Sequence, residues 1–209
     1  MENRSRYFPA VLLFGLLVGG CTTTTPIVSV WRNPAYSAAS FPRIMTGALG
    51  GDASSRRNFE DELIAQLRGA GIDAVASYRL LSEAGVVDES KIKDAARNSG
   101  VDALILTRLV GVEEKTEYSE SYLPPASWVG IFGSHGGVSV SGLGGVPSAT
   151  RYLEYSAETA LLDIAKNEVV WTATTVAKET VSGPSAVKST VDAVVKALVE
   201  NNLLRRPHQ

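Results

Sequence analysis

The hydrophobic positions along this chain alternate between a period of two and a period near 3.6, and the changes of period mark its elements. Residues 28–36 (VSVWRNPAY) read as an extended lead-in, because Pro34 lacks the N–H that a regular helix needs. Residues 43–49 (RIMTGAL) predict a short strand, and Gly50, Gly51 and Asp52 a turn. A helix follows. Asp52, Ser54 and Ser55 are side chains suited to cap its start, and Phe59, Leu63, Ile64, Leu67 and Ala70 fall on one face. Gly71 stands where that helix ends, and residues 72–78 (IDAVASY) have strand character.

The unit then repeats. Asp88 and Ser90 are capping candidates, Ile92, Ala95, Ala96 and Ser99 form a narrow face of small side chains, and Gly100 closes the helix. Residues 101–112 (VDALILTRLVGV) predict the strongest strand, nearly continuous in its first half as in a strand buried on both faces. Strands joined through helices favour parallel pairing. The second half changes character. Residues 151–164 alternate as a half-exposed antiparallel strand, 165–168 turn, and 169–178 (VVWTATTVAK) return with many β-branched side chains. Gly183 and Pro184 open a last helix whose face holds Val187, Val191, Val194, Val195, Leu198 and Leu203. The sum is an α/β fold: a mixed five-stranded sheet covered by three helices, in the order β-α-β-α-β-β-β-α.

A long Gly-rich loop interrupts this plan between the third and fourth strands. Residues 121–150 contain no Asp, Glu, Lys or Arg, and they carry Trp128, Ile131, Phe132, Val138 and Val140 among glycines. A loop of that length inside a compact domain is unusual and often functional. Three readings stand. One is a glycine-rich surface loop. Another is a docking segment whose Trp128, Ile131 and Phe132 are of the kind that anchor interfaces. The third is a membrane-inserting hairpin over 126–146, with arms at 128–133 and 138–143. Those arms are shorter than the 9–11 residues of a spanning strand.

The amino terminus gives the chain's address. Arg4 and Arg6 precede an uncharged, mostly apolar run over residues 7–20, which is too short to span a bilayer but has the length of a signal peptide's apolar region. Cys21, the only cysteine, follows Gly19 and Gly20. This pattern resembles the lipobox of bacterial lipoproteins. The resemblance implies a cleaved signal at 1–20, diacylglycerol on the Cys21 thiol and an acyl chain on its amine. More than one buried chain makes anchoring stable. Thr22 is not the aspartate that retains such proteins on the inner membrane, which implies the periplasmic face of the outer membrane of a Gram-negative bacterium. Residues 21–27 are then a lipidated tether, 28–204 a single periplasmic domain, and 205–209 a polar tail.

Composition removes several function classes. Without residues 1–20 the chain keeps 18 basic and 21 acidic residues, a net charge near −3, and so offers no basic footprint for nucleic acid. His135 and His208 have no neighbouring second ligand in sequence, so no metal or cofactor is expected. Gly137 to Gly142 misses the spacing of a nucleophile elbow by one residue. The run Glu60, Asp61 and Glu62 reads as a solvated helix face paired at i, i+4 with Arg56 and Arg57. Glu113 and Glu114 follow the third strand. Asp73, Asp102 and Asp163 sit at strand ends, where they serve turn hydrogen bonds, and Trp171 is expected in the core. Nothing here assembles into catalysis, so the expectation is a protein that is not an enzyme.

Arg56-Arg57-x-Phe59-Glu60-Asp61 with Leu67 and Gly71, then Ser77-Tyr78, then Gly100-Val101-Asp102-Ala103-Leu104 with Thr107-Arg108-Leu109, resemble a group of conserved bacterial lipoproteins of unknown function. Glu158-Thr159-Ala160-Leu161-Leu162-Asp163 and Val170-Trp171-Thr172-Ala173 continue the resemblance, which covers residues 28–204. More distantly, the order of elements is similar to the TolB amino-terminal domain, the penicillin-binding-protein activator lipoproteins and the periplasmic part of the curli secretion lipoprotein. That likeness implies work by protein–protein contact at the envelope, and in the curli case an oligomeric pore. The pore builders carry longer amphipathic hairpins where this chain has one uncharged loop. The leading expectation is an envelope protein partner bound through Trp128, Ile131, Phe132, Val138 and Val140. The alternatives are an oligomeric secretion or pore component, and a small-ligand or glycan-binding module using Trp128 and Phe132.

Overall fold

The computed structural model describes residues 25–36, 41–81, 87–119, 148–179 and 185–204. Six strands form one sheet: β1 (Ile27–Arg32), β2 (Arg43–Leu49), β3 (Asp73–Ala76), β4 (Ala103–Ser119), β5 (Ser148–Asp163) and β6 (Glu168–Glu179). Their order across the sheet is β1-β6-β5-β4-β2-β3. The β3–β2–β4 part is parallel, and β4–β5–β6–β1 is antiparallel. Helices α1 (Ala53–Gly69) and α3 (Ala186–Glu200) cover one face, and α2 (Glu89–Ser99) covers part of the other.

The expected α/β class with three helices and a mixed sheet is what the chain forms. The five expected strands become six. Residues 27–32, read as tether and lead-in, add to β6 as an antiparallel edge strand. Its pattern explains the miss: Val28, Ser29, Val30 and Trp31 are all exposed, so no alternation of buried and exposed positions betrays it. The third and fourth strands of the sequence reading also lengthen. β4 continues past residue 112 to Ser119, and β5 begins at Ser148, inside the segment read as loop.

Local chemistry sets the helix ends, with Asp52 and Asp88 capping as expected and Ser185 capping α3 where Gly183 and Pro184, outside the described residues, were expected to open it. Asp52 accepts from the Ser55 N–H at 2.9 Å, Asp88 from the Lys91 N–H at 2.9 Å, and the Ser185 hydroxyl from the Lys188 N–H at 3.2 Å. Gly100 ends α2 at φ +68°, a left-handed conformation that costs glycine little. The larger core lies between the sheet and the α1–α3 layer. It gathers Ile44, Leu63, Leu67, Ile105, Leu161, Trp171, Val194 and Leu198, each fully buried. A smaller core under α2 holds Met45, Ile92, Leu104 and Leu106. There α2 comes so close to β2 that a Cβ on Gly47 would lie 2.8 Å from the Ile92 Cγ2. No helix among the described residues is long and apolar enough to cross a membrane.

Candidate functional site

The most distinctive geometry is at one end of the sheet. β2 accompanies β4 only as far as the Leu49–Arg108 pair, and β6 accompanies β5 only from Leu153 onward. The β4–β5 pairing runs on to Ser119 and Ser148. From Gly111 to Ser119 the β4–β5 pair extends about 27 Å, a ribbon flanked by β6 as far as Glu114 and two-stranded from Lys115 to Ser119. Charged side chains on it meet across the strands. Lys115 bridges to Glu154 and, at 3.5 Å, to Glu113. Lys178 reaches Glu117 at 3.6 Å and lies 4.6 Å from the Tyr152 ring centroid. Val112 and Leu153 are exposed on it. A ribbon that is wet on both sides carries no amphipathic signal, which is why its length escapes a reading of periodicity.

The amino-terminal end of the domain emerges beside the ribbon's root. The Pro26 carbonyl accepts from the Val176 N–H at 3.2 Å, and Thr25 is buried. Val176 pairs with Ser156, and Ser156 with Gly111, so Pro26 stands level with Gly111, three residues before β6 ends its pairing with β5. β1 runs away from this end, so Thr25 and Pro26 stand at the ribbon's end of the sheet. Cys21 precedes Thr25 by four residues, a reach of at most about 14 Å.

A cleft of about 550 Å³ opens at the same end, between the starts of α1 and α3 and the ribbon's root. Leu49, Phe59, Leu109, Val112 and Val187 make its apolar wall. Its polar groups already serve local structure. Asp52 caps α1, and three hydrogen bonds from Ser54 and Ser55 hold its carboxyl well below the usual carboxylate range. Arg56 donates to the Gly51 carbonyl at 2.9 Å. Burial, with a hydrogen bond to Glu179, pushes the Tyr155 phenol up.

Glu60 corrects the sequence reading. It was expected on a solvated face beside Arg56 and is instead 2 % exposed. Its Oε1 accepts from the Ala48 N–H at 3.0 Å and the Ser77 hydroxyl at 2.8 Å, and its Oε2 from the Ser77 N–H at 2.8 Å. The carboxylate takes the place of a further β3 residue: it ends the short edge strand, satisfies β2 and turns the chain into the 3₁₀ turn Ser77–Arg79. Burial pushes the Glu60 carboxyl above its ordinary value despite these bonds. The signal was present in the sequence, since Glu60 lies three, four and seven residues before Leu63, Ile64 and Leu67 and so shares their face. Asp61 stays at the surface and accepts from the Tyr78 hydroxyl at 2.7 Å, while Arg57 stacks 5.6 Å over the Tyr78 ring.

The strand-end acids behave as expected. Asp102 accepts from the Arg43 N–H at 2.9 Å, Asp73 pairs with the Arg43 guanidinium at 3.3 Å, and Asp163 accepts from the Lys166 N–H at 3.0 Å and from the Tyr36 hydroxyl. Trp171 is fully buried. Glu113 and Glu114 lie within the long β4 rather than after it. Cys21, Trp128, Ile131, Phe132, Val138, Val140, His135 and His208 all lie outside the described residues. Among the described residues no group of three His, Cys, Asp or Glu could hold a metal ion.

No protein-family model and no curated protein matches the chain. Similar solved structures include a PelC dodecamer from Paraburkholderia phytofirmans, at 12 % identity, TM-score 0.47, over 88 % of this chain and 100 % of that one. Lipoprotein GNA1162 from Neisseria meningitidis is similar at 15 % identity and TM-score 0.42, over 76 % of this chain and 96 % of that one. Likenesses at this level place the chain in no family.

Proposed function

We propose that this protein is held on the periplasmic face of the outer membrane by acyl chains on Cys21, catalyses no reaction, and works by binding an envelope protein partner. The observation that carries this reading is the shared end of the sheet: the β4–β5 ribbon projects from the same end at which the chain enters the domain at Thr25 and Pro26. The β4–β5 pair extends farther beyond the level of Pro26 than the reach between Cys21 and Thr25. The uncharged residues joining its strands are therefore offered to something lying in or against the bilayer that holds the anchor, with Trp128, Ile131, Phe132, Val138 and Val140 as the contact side chains. Removing residues 121–147 and joining the ribbon by a two-residue turn is expected to leave the circular dichroism spectrum and membrane fractionation unchanged while abolishing in-cell crosslinks to the partner. Crosslinks that persist without the segment overturn the reading.

The same geometry favours a second reading, an oligomeric secretion or pore component whose 126–146 hairpin enters the outer membrane. Strands already paired as far as Ser119 and Ser148 lend length to arms that are too short alone. Detergent extracts separate the two readings. A ring-sized particle on size exclusion, lost with residues 121–147, supports the pore, and a monomer or small oligomer supports the partner-binding form.

A further inference from the structure

The sheet has two outer strands, and their edges differ. β3 is four residues long, its Ala74 carbonyl accepts from the Arg68 guanidinium at 2.8 Å, and Glu60 ends it by receiving the Ser77 N–H. Shortness and cover of this kind keep an edge from pairing with another chain. Among the described residues β1 has no such cover. It carries no charge before Arg32, and Val28, Val30 and Trp31 are exposed along it. The direction of its main-chain groups follows from the register. The Asn33 N–H donates to the Val170 carbonyl directly opposite, at 2.9 Å. Trp31 with Thr172 and Ser29 with Thr174 follow at two-residue steps, so these are the pairs that exchange bonds with β6. Val30 and Arg32 lie between them, and their N–H and C=O groups point away from β6 to the open side. Nothing among the described residues meets these groups. The irregularity of β1 falls at Val28, and from Ser29 to Arg32 the strand is regular. Val30 and Arg32 lie on the face of their partners Ala173 and Trp171, the α3 side, and Ser29 and Trp31 on the other. The Arg32 guanidinium has no ion pair or hydrogen bond among the described residues.

We infer that the open edge of β1 takes an extended strand of the envelope partner, which becomes a seventh strand of the sheet. The inference rests on the partner-binding reading and adds where and how that partner is held. The edge itself selects the occupant. Its free donors and acceptors recur at every second residue, and another extended main chain is what offers complementary groups at that spacing. A helix spends its main-chain groups on itself, and an acyl chain has none. The side chains refine the choice. The added strand sets an apolar residue beside Val30 and, two positions away on the same face, a carboxylate beside Arg32. Trp31 covers it from the other face. A second copy of this chain fits less well. Pairing two β1 strands antiparallel sends their amino-terminal ends to opposite ends of the joint sheet, whereas in the anchored reading both are tied to one bilayer.

The test places a photocrosslinking residue at position 29 and, separately, at position 31 of the full chain in cells, and maps each adduct by mass spectrometry. Adducts from the two positions are expected on one protein, at residues two apart in a single extended segment. Val30→Pro removes an outward N–H without touching the bonds to β6, and is expected to cut the yield from position 31 by at least about tenfold. Val30→Thr keeps that N–H and is expected to leave the yield close to wild type. Arg32→Glu, which retains every main-chain group, is expected to lower it as well. Circular dichroism and the melting temperature confirm that each variant is folded. Adducts scattered over an unrelated surface, adducts to lipid or to a second copy of this chain, yields unmoved by Val30→Pro, or no adducts at all overturn the inference. A photocrosslinker at position 128 separates this failure from that of the reading beneath it. Adducts from 128 with none from 29 and 31 sink the strand and leave the partner, and none from any of the three sinks both.

Discussion

Replacing Cys21 by serine is expected to abolish acylation and to change the size of the mature protein: chains cleaved at another site move to the soluble periplasm, and uncleaved chains stay at precursor size. The size of the effect follows from how the body is held. A single acyl chain binds a bilayer only marginally, and stable attachment takes a second chain or another membrane signal. In the proposed reading the lipids on Cys21 are the attachment. Serine offers no thiol for the diacylglycerol, and without it the amine is not acylated. Palmitate labelling, fractionation and the mass of the mature amino terminus check the outcome together. Unchanged sedimentation and unchanged mass in the serine variant remove the anchor, and with it the membrane-facing role given to the ribbon.

Glu60→Ala is expected to destabilise the domain by about 3 kcal/mol, lowering the melting temperature by roughly 10 °C for a chain of this length. The carboxylate receives the Ala48 N–H, the Ser77 N–H and the Ser77 hydroxyl. Truncation leaves these donors buried without acceptors, each with a desolvation penalty of its own. It also unfastens α1 from the ends of β2 and β3. Glutamine is nearly isosteric, but it turns an N–H₂ toward one of these donors and is expected to recover part of the loss. The pH dependence has a definite sign. Burial raises the folded-state value of Glu60 above the unfolded one. Its contribution is therefore greatest below the ordinary glutamate value and declines as pH rises through the higher folded value. Asp88 and Asp163, whose values are lowered, act in the opposite sense. The difference between wild type and Glu60→Gln isolates the effect, and wild type is expected to gain on the variant as pH falls from neutral. A melting temperature unmoved by Glu60→Ala would deny the carboxylate its fastening role.

What the sequence reveals depends on whether an element has a wet side and a dry side. α1, α2, α3 and β6 each bury one face and the inner half of β4 buries both, so Leu63, Ile92, Leu104 and Val194 announced them, and the capping side chains Asp52 and Asp88 marked the starts of α1 and α2. β1 and the outer β4–β5 ribbon are wet on both sides. Their cohesion is backbone pairing, for which side-chain periodicity holds no record, and so the sheet gained a sixth strand and a 17-residue β4 that pattern alone did not show. Glu60 was misplaced for another reason. Its charge was weighed above its position, although it shares the stripe of Leu63 and Leu67.

The direction in which β1 leaves the body has a mechanical consequence. In the proposed anchorage, a pull from the amino-terminal side acts through Pro26 along the axis of β1, while the bonds joining β1 to β6 lie across that axis. The load is therefore shared by the whole ladder at once in shear, instead of opening it one bond at a time as a zipper does. At the far end, the turn that follows β1 is clamped by Tyr36, whose hydroxyl donates to Asp163 while Lys166 covers its ring at 4.2 Å. An edge strand loaded this way makes a strong tow point, so drag on whatever the protein holds is passed to the leash without peeling the sheet.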